Sequence, residues 1–228
     1  MRDLSSAKSS FGGAGVSEPA SCALIALLKP LSRNIEVKKG QELFSKGDVA
    51  DALFVLNEGL MEISTLSIDG RKLSHILITP GAIFGEMALL DNNLRSASVT
   101  AKTNSKLWRV DAAMLMDEMR HTPELGLELL KLTVGRLRWI GAQLEDQAFR
   151  PVETRLARRV SFLLQTMGQA GEIKISQSEL AEHVGATREA VSKILGEWRD
   201  SGTIEIGRGK IRLLEPDTLF DIADFETT

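Results

Sequence analysis

Short apolar runs separated by glycines fill residues 35–110 and predict a series of β-strands. Leu53–Leu56 and Leu60–Ile63 flank Asn57-Glu58-Gly59, an arrangement that predicts a hairpin. The Asp-Gly pair within Ile68–Arg71 is typical of a type I′ turn between two further strands. Many short strands at regular spacing favour a barrel or jelly roll. The glycines between the runs are Gly40, Gly47, Gly59, Gly70, Gly81 and Gly85.

Helical patterns lie on both sides of this region. Apolar residues between 21 and 32 predict a short helix. After the strands, Thr122 and Pro123 predict the N-cap and first turn of a helix that continues to about Gln147. A heptad seam along this helix predicts pairing with a second copy of the chain, and packing on its own barrel is the alternative. The seam consists of Val134, Leu137, Gly141, Leu144 and Ala148.

The last third of the chain has a different pattern. Pro151–Met167 predicts a basic amphipathic helix, and Ser176-Gln177-Ser178-Glu179 is a capping box that begins a second helix. Gly185 ends that helix, Thr187 caps the next one, and Thr203–Leu213 predicts a glycine-turned hairpin. Together these elements indicate a winged helix-turn-helix. A chance helix–glycine–helix could imitate the first part, but the hairpin argues against it.

Composition restricts the class of protein. The chain has 228 residues and a net charge of −3, and no apolar run is long enough to span a bilayer. Residues 1–20 are polar and lack the apolar core of a secretory signal, so we expect a flexible tail and a cytoplasmic protein. The single cysteine, Cys22, excludes an internal disulfide and an all-cysteine iron–sulfur site. From Arg150 to Arg212, 11 Lys or Arg outnumber 8 Asp or Glu, which permits DNA binding.

The segment Phe84–Leu90 and the Arg95-Ser96-Ala97 triplet carry the candidate chemistry. Gly85 lets the backbone approach a ligand closely, because no Cβ stands in the way. Glu86 can accept hydrogen bonds from sugar hydroxyls, while Arg95 offers a rigid fork of donors to a phosphate. A small nucleotide monophosphate needs a carboxylate to bind its ribose and a guanidinium to bind its phosphate, and these two residues supply them.

These residues, in this order, resemble the cyclic AMP receptor protein / fumarate-and-nitrate-reduction regulator family from about Leu31 to Leu214. The resemblance implies an α+β fold with an N-terminal cyclic-nucleotide-binding β-barrel (jelly roll), a long dimerisation helix and a C-terminal winged helix-turn-helix. The implied segments are a tail (1–20), a nucleotide-binding domain (21–121), the dimerisation helix (122–149) and a DNA-binding domain (150–228). The residues that carry it are Phe44-Ser45-Lys46-Gly47-Asp48, Gly81–Glu86, Arg95-Ser96-Ala97 and Thr187–Leu195.

The resemblance also implies roles for single residues. Glu86 is expected to bind the ribose 2′-hydroxyl, and Arg95 and Ser96 the cyclic phosphate. Gly85, Met87 and Ala97 complete this part of the expected site. An Arg–Glu salt bridge that stabilises an empty barrel is the alternative for the polar residues.

Two positions on the long helix depart from the family pattern. Members that read cyclic AMP often place a Thr-Ser pair where this chain has Ile140 and Gly141. Neither residue has a side-chain hydrogen-bonding group, so discrimination between adenine and guanine is open. The polar residues Arg136, Arg138 and Gln143 lie near enough in sequence to replace the lost contacts.

His75 precedes the Phe84–Leu90 segment and lies on a predicted strand, where family members line the base pocket. It could contact the base or, as in one branch of the family, ligate a haem. A histidine that is simply packed and hydrogen-bonded is the third alternative. His121 and His183 have no ligand spacing, so we predict no metal site.

The second helix of the helix-turn-helix carries Arg188, Glu189, Ser192 and Lys193 as candidates for reading base edges. By resemblance, the Arg-Glu pair implies a palindromic TGTGA-like DNA site. Solvated helix charges are the alternative. Candidate phosphate contacts are Ser176, Gln177, Thr187, Arg208 and Lys210.

The resemblance thus implies a homodimeric bacterial transcription regulator with cyclic AMP as its effector. Alternatives are a cyclic GMP or dual response, a regulatory module of a kinase or channel, and a ligand-independent regulator with a vestigial pocket. Double-stranded DNA and RNA polymerase are the expected partners, with no membrane. No P-loop or nucleophile motif is present in the sequence, so we do not expect an enzyme.

Overall fold

The computed structural model describes residues 19–68, 70, 72–167 and 171–224. These residues form two compact units, 19–140 and 141–224, and the boundary falls within one long helix. Each unit has its own apolar core, so each is described separately.

The first unit contains two four-stranded sheets. One has the order β1-β8-β3-β6 and the other β2-β7-β4-β5, and neighbouring strands are antiparallel. The strands are β1 (Ser32–Val37), β2 (Glu42–Phe44), β3 (Ala52–Glu58), β4 (Met61–Leu66), β5 (Lys72–Ile78), β6 (Ile83–Phe84), β7 (Ser98–Ala101) and β8 (Ser105–Asp111). The two sheets give the predicted jelly roll.

Four helices belong wholly or partly to this unit. They are α1 (Cys22–Leu28), followed by a 3₁₀ turn at Lys29–Leu31, α2 (Met87–Leu90), α3 (Ala112–His121) and α4 (Pro123–Phe149).

Strand β3 is buried on both faces, because alternate residues point to opposite sides of a strand. Phe54 and Leu56 belong to one core cluster with residues of both sheets. Leu53 and Val55 belong to a second cluster with residues of α1, α3 and α4. This second cluster holds the long helix against the sheet that carries the candidate site.

The predicted hairpin around Gly59 is wrong, because β3 and β4 lie in different sheets. Gly59 turns the chain from one sheet to the other with φ +100°, and a Cβ there would lie 2.7 Å from the carbonyl oxygen of Asn104. The hairpin of β4 with β5 is confirmed. The predicted turn residues Asp69 and Arg71 are outside the described residues.

The second unit has the predicted helix-turn-helix and wing. It contains α5 (Val152–Met167), β9 (Glu172–Lys174), α6 (Gln177–Val184), α7 (Arg188–Asp200), β10 (Ile204–Gly207), β11 (Lys210–Leu213) and α8 (Pro216–Ala223). The three strands form one sheet of order β10-β11-β9. Strand β9 and helix α8 were not predicted from the sequence.

Local motifs explain where the helices of this unit begin and end. Ser176 and Glu179 form the complete capping box, and Gly185 ends α6 in the left-handed conformation with φ 62°. Thr187 caps α7 by accepting a hydrogen bond from the backbone N–H of Ala190. All three features were predicted, and they orient α7 after a three-residue connection, residues 185–187.

Candidate functional site

Arg95 is the central cation of the candidate nucleotide site. Its side chain is 3% exposed, and its Nη1 and Nη2 donate to the carbonyl oxygens of Gly85 (2.7 Å) and Ala52 (2.6 Å). The guanidinium lies 4.2 Å from the centroid of the Phe44 ring. Two backbone hydrogen bonds, Arg95 N–H to Asp48 O and Gly47 N–H to Arg95 O, hold this stretch in place. The segment around Arg95 therefore holds its buried, charged side chain in a fixed position.

A glycine is required at position 85, where the backbone of the Phe84–Leu90 segment passes close to Arg95. Its φ is +81°, and a Cβ there would lie 2.9 Å from Nη1 of Arg95. That separation is too short for a nonbonded contact, so a side chain at position 85 would displace the guanidinium. The sequence suggested that a glycine at this position allows close approach of a ligand. The packing of Arg95 is a second reason for a glycine here.

Glu86 is the buried acid of the same site, with 0% exposure. Its Oε1 is paired with Arg136 of α4, which also donates to the carbonyl oxygen of Ile83. An Arg–Glu salt bridge does form at this site, but Glu86 pairs with Arg136 of the long helix and not with Arg95. Arg136 is absent from the predicted contacts of Glu86. Arg136 lies one helical turn after Leu132, which packs against the barrel. That spacing could have indicated that Arg136 also faces the barrel and Glu86.

One polar atom on each of these two residues has no partner among the described residues. Oε2 of Glu86 is a buried acceptor without a donor, and Nε of Arg95 is a buried donor without an acceptor. Such orphaned groups are rare in folded proteins and call for an explanation. A ribose hydroxyl can donate to the first and a phosphate oxygen can accept from the second, so the residues fit a cyclic nucleotide.

Acidic residues surround the other side of Arg95. Asp51 lies 3.7 Å from Nη2 of Arg95 and accepts from Arg109 at 2.8 Å. The hydrogen bond from Arg109 lowers the pKa of Asp51 despite partial burial. Burial lowers the pKa of Arg95, while Asp51 opposes that shift. A cavity of about 310 Å³ lies here, bounded by Phe44, Phe54 and these charged side chains.

The other predicted ligand residues are mostly at the surface. Met87 begins α2 and is 45% exposed, Ser96 is exposed and Ala97 is half-buried. Ile140 is exposed on α4, and no atom lies within 4 Å of a Cβ built on Gly141. Their roles toward a ligand stay predictions.

His75 lies on β5 with its side chain exposed, and its Nε2 is 2.8 Å from the hydroxyl of Thr65 on β4. Partial desolvation lowers the pKa of His75, and the charge of Lys46 lowers it further. The hydrogen bond matches part of the third alternative that the sequence left open, but the side chain is exposed and not packed, so its role toward a ligand stays a prediction. Among the described residues, no group of three His, Cys, Asp or Glu side chains could hold a metal ion.

The predicted base-reading residues share the exposed part of α7. The side chains of Arg188, Glu189, Ser192 and Lys193 are all exposed. Lys193 is within 4.0 Å of Glu197, whereas Arg188 makes no ion pair with any described residue. The first turn of α7 therefore presents one free guanidinium.

Among the predicted phosphate contacts, two hydroxyls already have structural roles, since Ser176 and Thr187 cap their helices. Gln177 is half-buried at the start of α6. Lys210 on the wing is 3.0 Å from Glu172. Arg208, in the turn between β10 and β11, is exposed and makes no ion pair with the described residues. Arg208 is therefore the wing cation that is free to meet a phosphate.

Helix α5 connects to both neighbours within the second unit. Nε1 of Trp198 on α7 donates to Glu153 in the first turn of α5 at 3.0 Å. Asp146, near the end of α4, is paired with Arg150 at 2.6 Å and with Arg158 at 3.3 Å. These contacts tie the recognition helix α7 and the end of α4 to the same helix.

An apolar row remains exposed along α4. Its spacings of three and four residues are those of the predicted seam, extended toward the start of the helix. The exposed members are Leu127 (58%), Leu130 (59%), Val134 (40%), Leu137 (69%) and Leu144 (62%). In the described part of the chain, no helix is both long and apolar enough to cross a membrane.

Comparison with known proteins yields two matching family models. The one described as a cyclic nucleotide-binding domain matches residues 34–122, and the one described as a Crp-like helix-turn-helix domain matches residues 154–222. The first match contains Glu86 and Arg95, and the second contains α6, α7 and the wing.

Similar whole proteins are transcription regulators. A cyclic AMP receptor protein of Thermus thermophilus is 30% identical over 185 residues, which are 81% of this chain and 85% of that protein. A CRP-like cAMP-activated global transcriptional regulator of Mycobacterium tuberculosis is 28% identical over 211 residues, 90% and 92% of the two chains. A solved regulator of the CRP/FNR family from Eubacterium rectale shares the fold, with a TM-score of 0.78, 19% identity and coverage of 89% and 94%.

Proposed function

Since the chain belongs to the CRP/FNR family of transcription regulators, we propose that it is a homodimeric regulator whose DNA binding is switched by a cyclic nucleotide. The pair of orphaned atoms at Glu86 and Arg95 carries this proposal. One is a buried acceptor and the other a buried donor, and they lie on residues that the family resemblance assigns to the ribose and the cyclic phosphate. A ligand with both a hydroxyl and a phosphate satisfies both atoms.

Cyclic AMP is the effector we favour, because the Thermus and Mycobacterium relatives carry cyclic AMP in their names. Glu86 would bind the ribose 2′-hydroxyl through Oε2, and Arg95 would bind the phosphate. The two carbonyl bonds of Arg95 use one hydrogen of each Nη, so Nε–H and the second hydrogen of each Nη remain for a phosphate.

Dimerisation is supported by the exposed row on α4. A large apolar side chain such as Leu137 gains free energy when a second helix covers it, roughly 1.5–3 kcal/mol for full burial. Five such side chains in heptad spacing favour a paired helix over a solvated one. A dimer would also supply the two recognition helices that a palindromic site of TGTGA type requires.

DNA recognition would begin with the exposed residues of α7. Arg188 can bond a guanine through O6 and N7, and Glu189 can accept from cytosine N4. Arg208 at the wing would contact a backbone phosphate, which positions the protein without reading sequence. The salt bridge of Lys193 with Glu197 would have to open for Lys193 to contribute.

The switch is a population shift between two arrangements of the long helix. Arg136 joins α4 directly to Glu86, so a ligand that binds Glu86 acts on α4 through this pair. Near the end of α4, Asp146 pairs with Arg158 of α5, and Glu153 of α5 accepts a hydrogen bond from Trp198 of α7, so a change in α4 would reach α5 and α7 through these contacts. A nucleotide that binds one arrangement more tightly shifts the equilibrium by that difference in affinity.

A ligand-independent regulator is the second candidate, and one observation favours it. Arg95 already bonds two carbonyls and lies 3.7 Å from Asp51, and Glu86 already pairs with Arg136, so both charged side chains have partners within the chain. Such a pocket could stay empty while α7 binds DNA.

Fluorescence anisotropy on a labelled palindromic TGTGA-type duplex tests these functions. The protein is titrated at fixed salt without nucleotide, with cyclic AMP and with cyclic GMP. Tightening by cyclic AMP alone supports the proposal, and tightening by both nucleotides supports a dual response. Equal and tight binding in all three titrations would overturn the switch and favour the ligand-independent regulator.

A further inference from the structure

Trp139 of α4 carries a buried donor that no interaction described so far uses. Its Nε1 has no hydrogen-bond partner among the described residues, although the side chain as a whole is only half-buried. The indole N–H can only donate, and a buried tryptophan usually finds an acceptor. With Ser74 Oγ, Glu86 Oε2 and Arg95 Nε, it is one of four such atoms on the described residues of the first unit.

Trp139 lies beside the site rather than on the exposed row. It follows Arg136 by three residues, so the two side chains are neighbours on one face of the helix. It follows Leu137 by two residues, which places it roughly 200° around the axis from that exposed leucine. The side of α4 that carries Trp139 is therefore the side from which Arg136 reaches Glu86.

The chemistry of a nucleotide limits where its base can lie. The base and the 2′-hydroxyl occupy adjacent ribose carbons, so a base whose ribose binds Glu86 lies within a few bonds of it. Since Arg136 holds Glu86, a base that turns toward α4 would meet the helix within about one turn of Arg136. The helix neighbours of Arg136 in that range are Leu132, Thr133, Trp139 and Ile140.

Only Trp139 among these four neighbours offers an unused polar atom. Leu132 packs into the core cluster, and Ile140 has no polar group. The hydroxyl of Thr133 donates to the carbonyl oxygen of Leu129 at 2.9 Å. The flat indole adds a surface on which a purine can stack.

We infer that Trp139 is the base-recognising residue of the nucleotide site, stacking on a purine and donating its Nε1–H to a ring acceptor. The inference rests on the proposed nucleotide function and adds purine specificity to it. Adenine and guanine both offer ring-nitrogen acceptors and large stacking surfaces, whereas cytosine offers a smaller ring. The missing Thr-Ser pair at Ile140 and Gly141 is thus replaced by a residue one position earlier on the helix.

The test compares cyclic AMP, cyclic GMP and cyclic CMP by calorimetry on the wild-type protein and three variants. Trp139→Phe keeps a ring but removes the donor, so purine affinity should fall about fivefold, the effect of one lost hydrogen bond. Trp139→Leu also removes stacking, and the fall should reach about thirtyfold, with little change for cyclic CMP. Trp108→Phe, on β8, is the matched control and should leave all three affinities unchanged.

A second measurement does not depend on how the variants bind. In a Trp108→Phe, Trp198→Phe protein Trp139 is the remaining tryptophan, and saturating cyclic AMP should change its fluorescence; no change at saturation would count against contact of Trp139 with the base. Unchanged purine affinities in both Trp139 variants, with wild-type binding intact, would overturn the inference and leave the nucleotide function standing. If the wild-type protein binds none of the three nucleotides, the proposed function fails and the inference fails with it.

Discussion

Replacement of Gly85 by alanine is expected to destabilise the first unit and to weaken nucleotide binding. Two costs combine at this position. An L-residue at φ +81° is strained by about 1–2 kcal/mol. The new Cβ would also lie 2.9 Å from Nη1 of Arg95 and displace it from the Gly85 carbonyl, a charged hydrogen bond worth about 1.5–3 kcal/mol. The free energy of unfolding should fall by about 2.5–5 kcal/mol in total.

Gly40→Ala is a matched control for the backbone strain alone. Gly40 has φ +82°, almost the value of Gly85, and no atom lies within 4 Å of a Cβ built on it. Its free energy of unfolding should fall by only about 1–2 kcal/mol. Urea unfolding of both variants, followed by circular dichroism, measures the two values, and calorimetry measures cyclic AMP affinity. Equal destabilisation by the two substitutions, with equal affinities, would refute the packing of Arg95 against Gly85 described above.

Three further substitutions test the second unit and the long helix. Ser176→Ala removes the capping-box acceptor of α6 and should lower the free energy of unfolding by about 1 kcal/mol, whereas Ser178→Ala, at an exposed position, should change it little. Asp146→Asn leaves two half-buried arginines without their carboxylate and should cost about 2 kcal/mol in urea unfolding, less at high salt. Leu137→Glu should convert a dimer to monomers in analytical ultracentrifugation without unfolding, while Ala142→Glu, exposed but off the seam, should not.

Local motifs made the second unit largely predictable from its sequence. The capping box at Ser176, the turn at Gly185 and the cap at Thr187 each depend on residues within four positions of one another, and all are confirmed. Helix α8 escaped prediction because Pro216–Ala223 is only eight residues long. Its apolar residues Leu219 and Phe220 become buried only because α5 provides a surface for them.

The first unit shows where sequence reasoning reaches its limit. Strand positions and glycine turns were predictable, but the pairing of strands was not, since Gly59 separates two sheets that no local pattern distinguishes from a hairpin. The partner of Glu86 lies 50 residues further along the chain, on α4. Burial of Glu86 follows from that long-range contact, because an acid is rarely found inside a protein unless a cation accompanies it.

The orphaned atoms of the first unit have a shared energetic meaning. A buried donor or acceptor without a partner costs about 1–3 kcal/mol relative to a satisfied one. Among the described residues of this unit, Ser74, Glu86, Arg95 and Trp139 each bear such an atom; the last three belong to the proposed nucleotide site, and two of those three are donors. A phosphate oxygen and a base nitrogen accept, and a ribose hydroxyl donates, so one nucleotide matches all three in number and in polarity. Pairing these groups would therefore contribute to the affinity of the proposed site for a cyclic nucleotide, offset by the cost of association.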